Sequence, residues 1–309
     1  MWLVKEHRSE VHSLTFSPDG RFFASADVGG TVLLWEPAVS RTPRQLKPEP
    51  EGNPVTGVLF SPRGDRLLMC RAAGQHNSFG YWPLPEFARF VGLKSSLGQH
   101  PLMTTTPDGN VLLVTTPSPT RLAKAELWNT TNWRKKTQHR LGYIATQRSS
   151  IATDGESVLA ALEDRGDVWL LNLDRGMYRG IWQAHPTKVC QPAFRPRSAQ
   201  FATAGPNQVR VWRVELGRSY FYPATPELIA ELPRVGSPYF NTLVFSDDGQ
   251  RLAVGRNDGT VDLYDADTWM QTASYRWPIG NVRRLAFSPD GLRAAAAGVA
   301  GAIVIWDLE

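Results

Sequence analysis

Residues 11–36 hold Val11-His12-Ser13-Leu14-Thr15-Phe16, the turn Ser17-Pro18-Asp19-Gly20, a second apolar run Phe22-Phe23-Ala24-Ser25-Ala26, and a third, Val32-Leu33-Leu34, ending on Trp35-Glu36. Pro fixes the backbone at one turn position and Asp or Gly tolerates the next, so the first two runs predict a β-hairpin. The turn phrase then recurs as Ser61-Pro62-Arg63-Gly64, Thr106-Pro107-Asp108-Gly109, Thr153-Asp154-Gly155, Arg195-Pro196-Arg197-Ser198, Ser246-Asp247-Asp248-Gly249 and Ser288-Pro289-Asp290-Gly291. Downstream of each hairpin a third run ends in a large residue: Trp35, Trp82, Trp128, Leu171, Trp212, Tyr264 and Trp306. Successive intervals are 47, 46, 43, 41, 52 and 42 residues, and self-similarity at such a period marks a repeat architecture.

A period slightly above forty with a terminal Trp, often followed by an acid as in Trp35-Glu36 and Trp306-Asp307, resembles the WD-repeat family. The resemblance covers the chain. It is strong at Phe16-Ser17-Pro18-Asp19-Gly20, at Asp258-Gly259-Thr260-Val261-Asp262-Leu263-Tyr264 and at Phe287-Ser288-Pro289-Asp290-Gly291, and degenerate in blades three to five. It implies an all-β fold: a seven-bladed β-propeller of four-stranded antiparallel blades, with residues 1–309 as one domain. Repeated Ser-Pro-Asp-Gly turns in an Ala-, Arg- and Pro-rich texture look like bacterial WD-repeat proteins, in which such propellers accompany kinase, protease or nucleotide-hydrolysing domains.

Each blade must bury both faces against its neighbours, which explains near-continuous apolar runs such as Val32-Leu33-Leu34 and Ile303-Val304-Ile305. The terminal aromatics are expected to fill the wedge that widens away from the axis. The last blade, ending at Trp306-Asp307-Leu308-Glu309, lacks a fourth strand, and Trp2-Leu3-Val4-Lys5 have no place in blade one. They are expected to complete the last blade and remove its exposed edge.

Composition agrees with a globular all-β chain. Of 309 residues, 42% are apolar and 20% charged, while Gly 26 and Pro 23 give the punctuation that many short strands need. No apolar run suits a signal segment or a membrane span, and Cys70 and Cys190 fall in different blades, so a reducing cytoplasm is expected. The formal charge of +5 is dispersed among interleaved acids. Even Arg134-Lys135-Lys136 falls where an exposed outer strand is expected, which leaves nucleic-acid binding through a basic rim as an alternative reading.

Signatures of chemistry are missing from the sequence. It contains no Gly-x-Ser-x-Gly, no phosphate loop ending in Gly-Lys-Ser or Gly-Lys-Thr, no His-Glu-x-x-His and no Cys-x-x-Cys. His7, His12, His76, His100, His139 and His185 lack metal-ligand spacing. No cofactor, metal or catalytic residue is predicted, and a propeller with an enzymatic pocket is kept only as an alternative. Asp247, Asp248, Asp262, Asp265 and Asp267 are assigned to turns or strand ends.

In WD repeats a His ahead of the first strand, a Ser or Thr in the second, an Asp in the next tight turn and the Trp form a buried hydrogen-bonded network. By this resemblance His7 and His185 match the His, and Asp258, Thr260 and Tyr264 match the turn part. Gly29, Arg165, Pro206 and Ala300 stand where the Asp is expected, so no blade is predicted to hold the whole set.

The resemblance also implies that loops from the fourth strand to the next blade, and from the second to the third, gather on one face around the channel and bind partners. Carried over, that face presents Arg71, His76, Arg121, Arg140, Tyr143, Arg165, His185, Lys188, Arg234, Tyr239, Arg256 and Trp277. Arg and large aromatics anchor interfaces by burying area while keeping a polar or cationic handle. The function expected is a non-catalytic scaffold or recruitment module for a protein or an acidic, peptide-like partner, with an effector domain on the same or another chain. Two further segments read as loops: Gly74-Gln75-His76-Asn77-Ser78 and Pro117-Ser118-Pro119. The aromatic insertion Arg218-Ser219-Tyr220-Phe221-Tyr222-Pro223-Ala224-Thr225-Pro226 reads as a lid over blades five and six on the opposite face, with a second docking loop as the alternative.

Overall fold

The computed structural model describes residues 1–47, 54–72, 79–93, 102–106, 108–116, 124–140, 149–153, 157–162, 166–172, 178–214, 226–234 and 236–308. The opening strand is β1 (Trp2–Val4). Blade one is β2 (Val11–Phe16), β3 (Phe23–Asp27), β4 (Val32–Glu36) and β5 (Ser40–Leu46). Blade two is β6 (Val55–Phe60), β7 (Arg66–Arg71), β8 (Phe79–Pro83) and β9 (Val91–Gly92). Blade three is β10 (Leu102–Thr105), β11 (Val111–Thr116), β12 (Lys124–Asn129) and β13 (Lys135–Arg140). Blade four is β14 (Ser149–Thr153), β15 (Ser157–Leu162), β16 (Asp167–Asn172) and β17 (Tyr178–Gln183). Blade five is β18 (Gln191–Phe194), β19 (Gln200–Ala204), β20 (Gln208–Arg213) and β21 (Glu227–Pro233). Blade six is β22 (Phe240–Phe245), β23 (Arg251–Arg256), β24 (Thr260–Asp265) and β25 (Gln271–Arg276). Blade seven is β26 (Val282–Phe287), β27 (Arg293–Gly298) and β28 (Ile303–Asp307), with β1 as its fourth strand.

Each group forms a four-stranded antiparallel sheet in sequence order, and the last runs β26, β27, β28, β1. First strands contact one another around a closed ring, β2 to β6, β10, β14, β18, β22, β26 and back to β2. This is an all-β propeller. Closure is made by Trp2 opposite Ile305, Leu3 opposite Val304 and Val4 opposite Ile303. Trp2 also meets Trp35 of blade one edge-on at 5.5 Å, so the first residues join two blades.

Burial explains the composition of each strand. Second strands lie between neighbouring sheets and are apolar on both sides: Leu67 to Cys70 and Ala294 to Ala297 are all buried. Outer strands have one wet face, and β25 shows the alternation that follows. The aromatics Trp35, Trp82, Trp128, Trp212, Tyr264 and Trp306 are all buried, as the wedge assignment requires; the side chain of Leu171 lies outside the described residues.

The recurring turn is a side-chain cap. Ser17 Oγ donates to Asp19 Oδ1 at 2.5 Å and accepts the Phe22 N–H at 2.8 Å, while Gly20 closes the turn at φ +67°. Thr106, Ser246 and Ser288 repeat it with Asp108, Asp248 and Asp290. Blade five lacks the Gly, and Arg197 takes the left-handed conformation instead. Its neighbour Arg195 becomes a clamp to blade six, donating to Gly249 O at 2.8 Å and Ala266 O at 2.7 Å and pairing with Asp267 at 2.5 Å.

Candidate interaction face

In blades six and seven the chain that leaves the fourth strand lies against the turn between the second and third strands, and that contact explains two glycines. A Cβ on Gly301 of blade seven would lie 2.3 Å from His7 O, and one on Gly259 of blade six would lie 2.2 Å from Trp277 O. Each hairpin turn thus rests on the chain entering the next blade. His7 and Trp277 are therefore equivalent positions.

Blade one holds the complete polar network, which corrects the expectation that no blade does. Asp27, at the end of β3, supplies the carboxylate that Gly29 cannot. His7 Nδ1 lies 3.0 Å from Asp27 Oδ2, and Nε2 lies 2.7 Å from Ser25 Oγ, which also accepts the Trp35 indole N–H at 3.1 Å. A carboxylate only accepts, so the His7 proton is on Nδ1 and Nε2 accepts from the Ser25 hydroxyl. Asp27 Oδ1 takes the Thr31 N–H at 2.8 Å. Burial lowers the pKa of His7, opposed by Asp27.

Blade five keeps a reduced version. His185 Nε2 lies 2.9 Å from Thr203 Oγ1, which accepts the Trp212 indole N–H at 2.9 Å. Without a carboxylate, burial and then the nearby Arg210 push the His185 pKa down to about 4. In blade six Asp258 accepts the Thr260 N–H at 3.2 Å and stands 3.6 Å from Arg276, while Tyr264 is buried.

The residues expected on the binding face divide sharply. Arg71 and His185 are each 1% exposed, Arg256 is 7% exposed and Trp277 is 9% exposed, so these four are packing residues and not a rim. Arg71 has its guanidinium carbon 5.9 Å from the Phe90 ring centre. Arg256 pairs with Asp262 at 2.5 Å and lies over Phe240 at 5.2 Å. Trp277 stacks on Tyr275 at 5.4 Å and touches Trp306 at 4.4 Å. Lys188, Arg234 and Tyr239 do reach solvent, and all three lie at the seam of blades five and six. His76, Arg121, Tyr143 and Arg165 lie outside the described residues, as do the three loop segments named from sequence apart from Pro226; Arg140 ends β13, and its side chain is likewise outside.

Asp262 also departs from expectation, because it sits inside β24 at 1% exposure and not at a turn. Beyond Arg256, it accepts from Ser274 Oγ at 2.7 Å. Glu126 holds the same place in β12, two residues ahead of Trp128, taking its indole N–H at 3.2 Å and Lys135 Nζ at 3.1 Å. Sequence reading missed both buried acids. The signal was their spacing, since an acid two residues before the blade aromatic shares its inward face.

Among the described residues no group of three or more His, Cys, Asp or Glu is gathered to hold a metal ion, and no helix is long and apolar enough to cross a membrane. Among the described residues Cys70 and Cys190 form no disulfide, and burial pushes the Cys70 thiol well up.

Comparison with known proteins agrees with this geometry. Residues 2–36, 234–265 and 272–307 match the family model "WD domain, G-beta repeat". The chain is similar to "Periodic tryptophan protein 2 homolog" of Dictyostelium discoideum, 23% identical over 270 residues, covering 86% of this chain and 23% of that protein. It is 24% identical over 192 residues to "WD repeat-containing protein WDS homolog" of Arabidopsis thaliana, covering 60% of this chain and 35% of the relative. It is 28% identical over 174 residues to "WD repeat-containing protein VIP3" of the same plant, covering 53% of this chain and 52% of the relative. The chain thus spans about a quarter to a half of these relatives' lengths. All three are eukaryotic, and the bacterial resemblance read from texture finds no support in them. On the three matching segments the chain carries WD repeats, set in an all-β propeller of four-stranded antiparallel blades.

Proposed function

We propose that this protein is a non-catalytic interaction module, a scaffold or recruitment unit that holds a protein or peptide partner on the loop face around the channel. Its WD-repeat relatives support an interaction role in general terms. The observation that carries the choice of face is the convergence of Lys188, Arg234 and Tyr239 on one seam, with Lys188 Nζ 5.5 Å from the centre of the Tyr239 ring. Two cysteines held in different blades, Cys70 and Cys190, suit a reducing cytoplasm as its place of work, with residues 1–309 acting as one propeller.

Charge reversal is the test, and the structure restricts where it is informative. Reversing Arg256 would strand the buried Asp262 and disrupt blade six whatever the partner, so exposed positions must be used. Asn207→Glu with Arg234→Glu alters the loop face, and Arg21→Glu with Val39→Glu alters the opposite one. Partner capture by the purified protein should fall with the first pair and persist with the second. The reverse pattern would refute the choice of face.

A further inference from the structure

We propose that the seam between blades five and six binds an acidic peptide segment, with Lys188 and Arg234 as its charge contacts and Tyr239 as its packing surface. This deepens the function proposed above and rests on it.

Three observations carry the inference. First, the Lys188 ammonium, the Tyr239 backbone and the Arg234 guanidinium are each held by contacts within the chain. Lys188, in the loop entering β18, has its ammonium over Tyr239, a cation–π contact that orders an otherwise flexible stem. Tyr239, in the loop entering β22, is fixed through its N–H to Asn257 Oδ1 at 2.8 Å. Arg234 opens the same loop, its N–H donating to Asn207 O at 2.9 Å and its Nη1 to Ser237 O at 3.2 Å.

Second, their charge is unspent. Neighbouring cations on these blades are already matched: Arg210 with Glu231 at 2.8 Å, Arg276 with Asp258 at 3.6 Å and Arg256 with Asp262 at 2.5 Å. Among the described residues neither Lys188 nor Arg234 forms an ion pair. A carboxylate arriving at either cation breaks no ion pair among the described residues, which favours acidic partners and repels basic ones.

Third, the scale fits a peptide. One ammonium over a half-buried ring, with an arginine at the head of the loop that carries the ring, suits one or two carboxylates and an apolar neighbour. A nucleic-acid backbone is held by a longer file of phosphate contacts.

Fluorescence anisotropy with a labelled oligo-glutamate peptide and the full chain at low salt reads the site directly. The parent should bind, Lys188→Ala/Arg234→Ala should bind about tenfold or more weakly, and Arg8→Ala, on the same face at blade one, should match the parent. Unchanged melting of each variant establishes that the fold is intact. The seam assignment is overturned by a parent that does not bind, by a double variant that binds like the parent, or by a single-stranded oligothymidylate that binds more tightly than the peptide. Loss of binding only in Arg21→Ala/Arg134→Ala, on the opposite face, would bring down the loop-face reading as well.

Discussion

Where blade one places His7, Ser25 and Asp27 around Trp35, blade seven places Trp277, Ala296 and Gly298 around Trp306. The correspondence is fixed by strand pairing: Asp27 stands opposite Val11 as Gly298 does opposite Val282, and Trp35 opposite Phe23 as Trp306 does opposite Ala294. In blade one every polar group of the set has a partner. In blade seven the set is replaced by an aromatic stack of Tyr275, Trp277 and Trp306. The substitution leaves one donor behind, since Trp306 Nε1 is buried with no hydrogen-bond partner among the described residues. The same wedge can thus be filled by a satisfied polar network or by apolar area, and removing one partner of the network costs more than never having built it.

The largest difference between these blades should appear when the first strand is removed. Deleting residues 1–6 strips β1 from blade seven, exposes the β28 edge and removes Trp2 from Trp35. We expect the melting temperature to fall by about 10 °C or more, measured by calorimetry. A fall of only a few degrees would mean that the seal contributes little.

Truncating the central aromatics compares the two cores next. Trp35→Ala and Trp306→Ala should each cost ~3–5 kcal/mol in denaturant unfolding. Trp35→Ala should be the worse, because it also removes the indole donor to Ser25. Equal costs would show that the network adds nothing beyond burial.

Acid sharpens the contrast between networks with and without a carboxylate. His185 has a folded pKa of about 4, below its ordinary 6.5, so the unfolded chain binds the proton first. The stability it supports is complete above pH 6.5 and is lost as pH falls toward 4, by on the order of 3 kcal/mol. His185→Gln should flatten that part of the pH profile. An unaltered slope would place the titration elsewhere.

The smallest effects test the orphaned indole. Ser25→Ala leaves Trp35 Nε1 and His7 Nε2 unpaired and should cost ~1–3 kcal/mol. The matching Ala296→Ser gives Trp306 Nε1 an acceptor, but Trp277 offers the new hydroxyl proton nothing, so the net change should stay under about 1 kcal/mol. A large gain from Ala296→Ser would show that the orphaned donor is the weak point of blade seven.

These contrasts also separate what sequence reveals from what it conceals. The Ser-Pro-Asp-Gly turns were legible because a capping hydroxyl, a Pro and a left-handed Gly act within five residues of chain. The seal by residues 2–4 was legible because a sheet edge without a strand and a strand without a sheet match each other. Asp27 escapes the repeat pattern because it stands two residues ahead of the turn position that Gly29 holds. Ser25 and Asp27, two apart on one strand, point to the same side and reach His7 together. Arg71 and Arg256 looked like rim residues because arginine is ordinarily exposed. Only the pairing of β23 with β24 brings Asp262 within reach of Arg256. At the proposed docking face Lys188 stands far from Arg234 and Tyr239 in the sequence. Their meeting at one seam depends on how consecutive blades abut, which no local pattern encodes.

The central functional claim is that partners dock on the loop face. A photo-crosslinking residue placed at exposed Asn207, compared with one at exposed Val39 on the opposite face, tests it directly. The account predicts covalent capture of the same partner from position 207 and none from position 39. Capture from position 39 alone would contradict it.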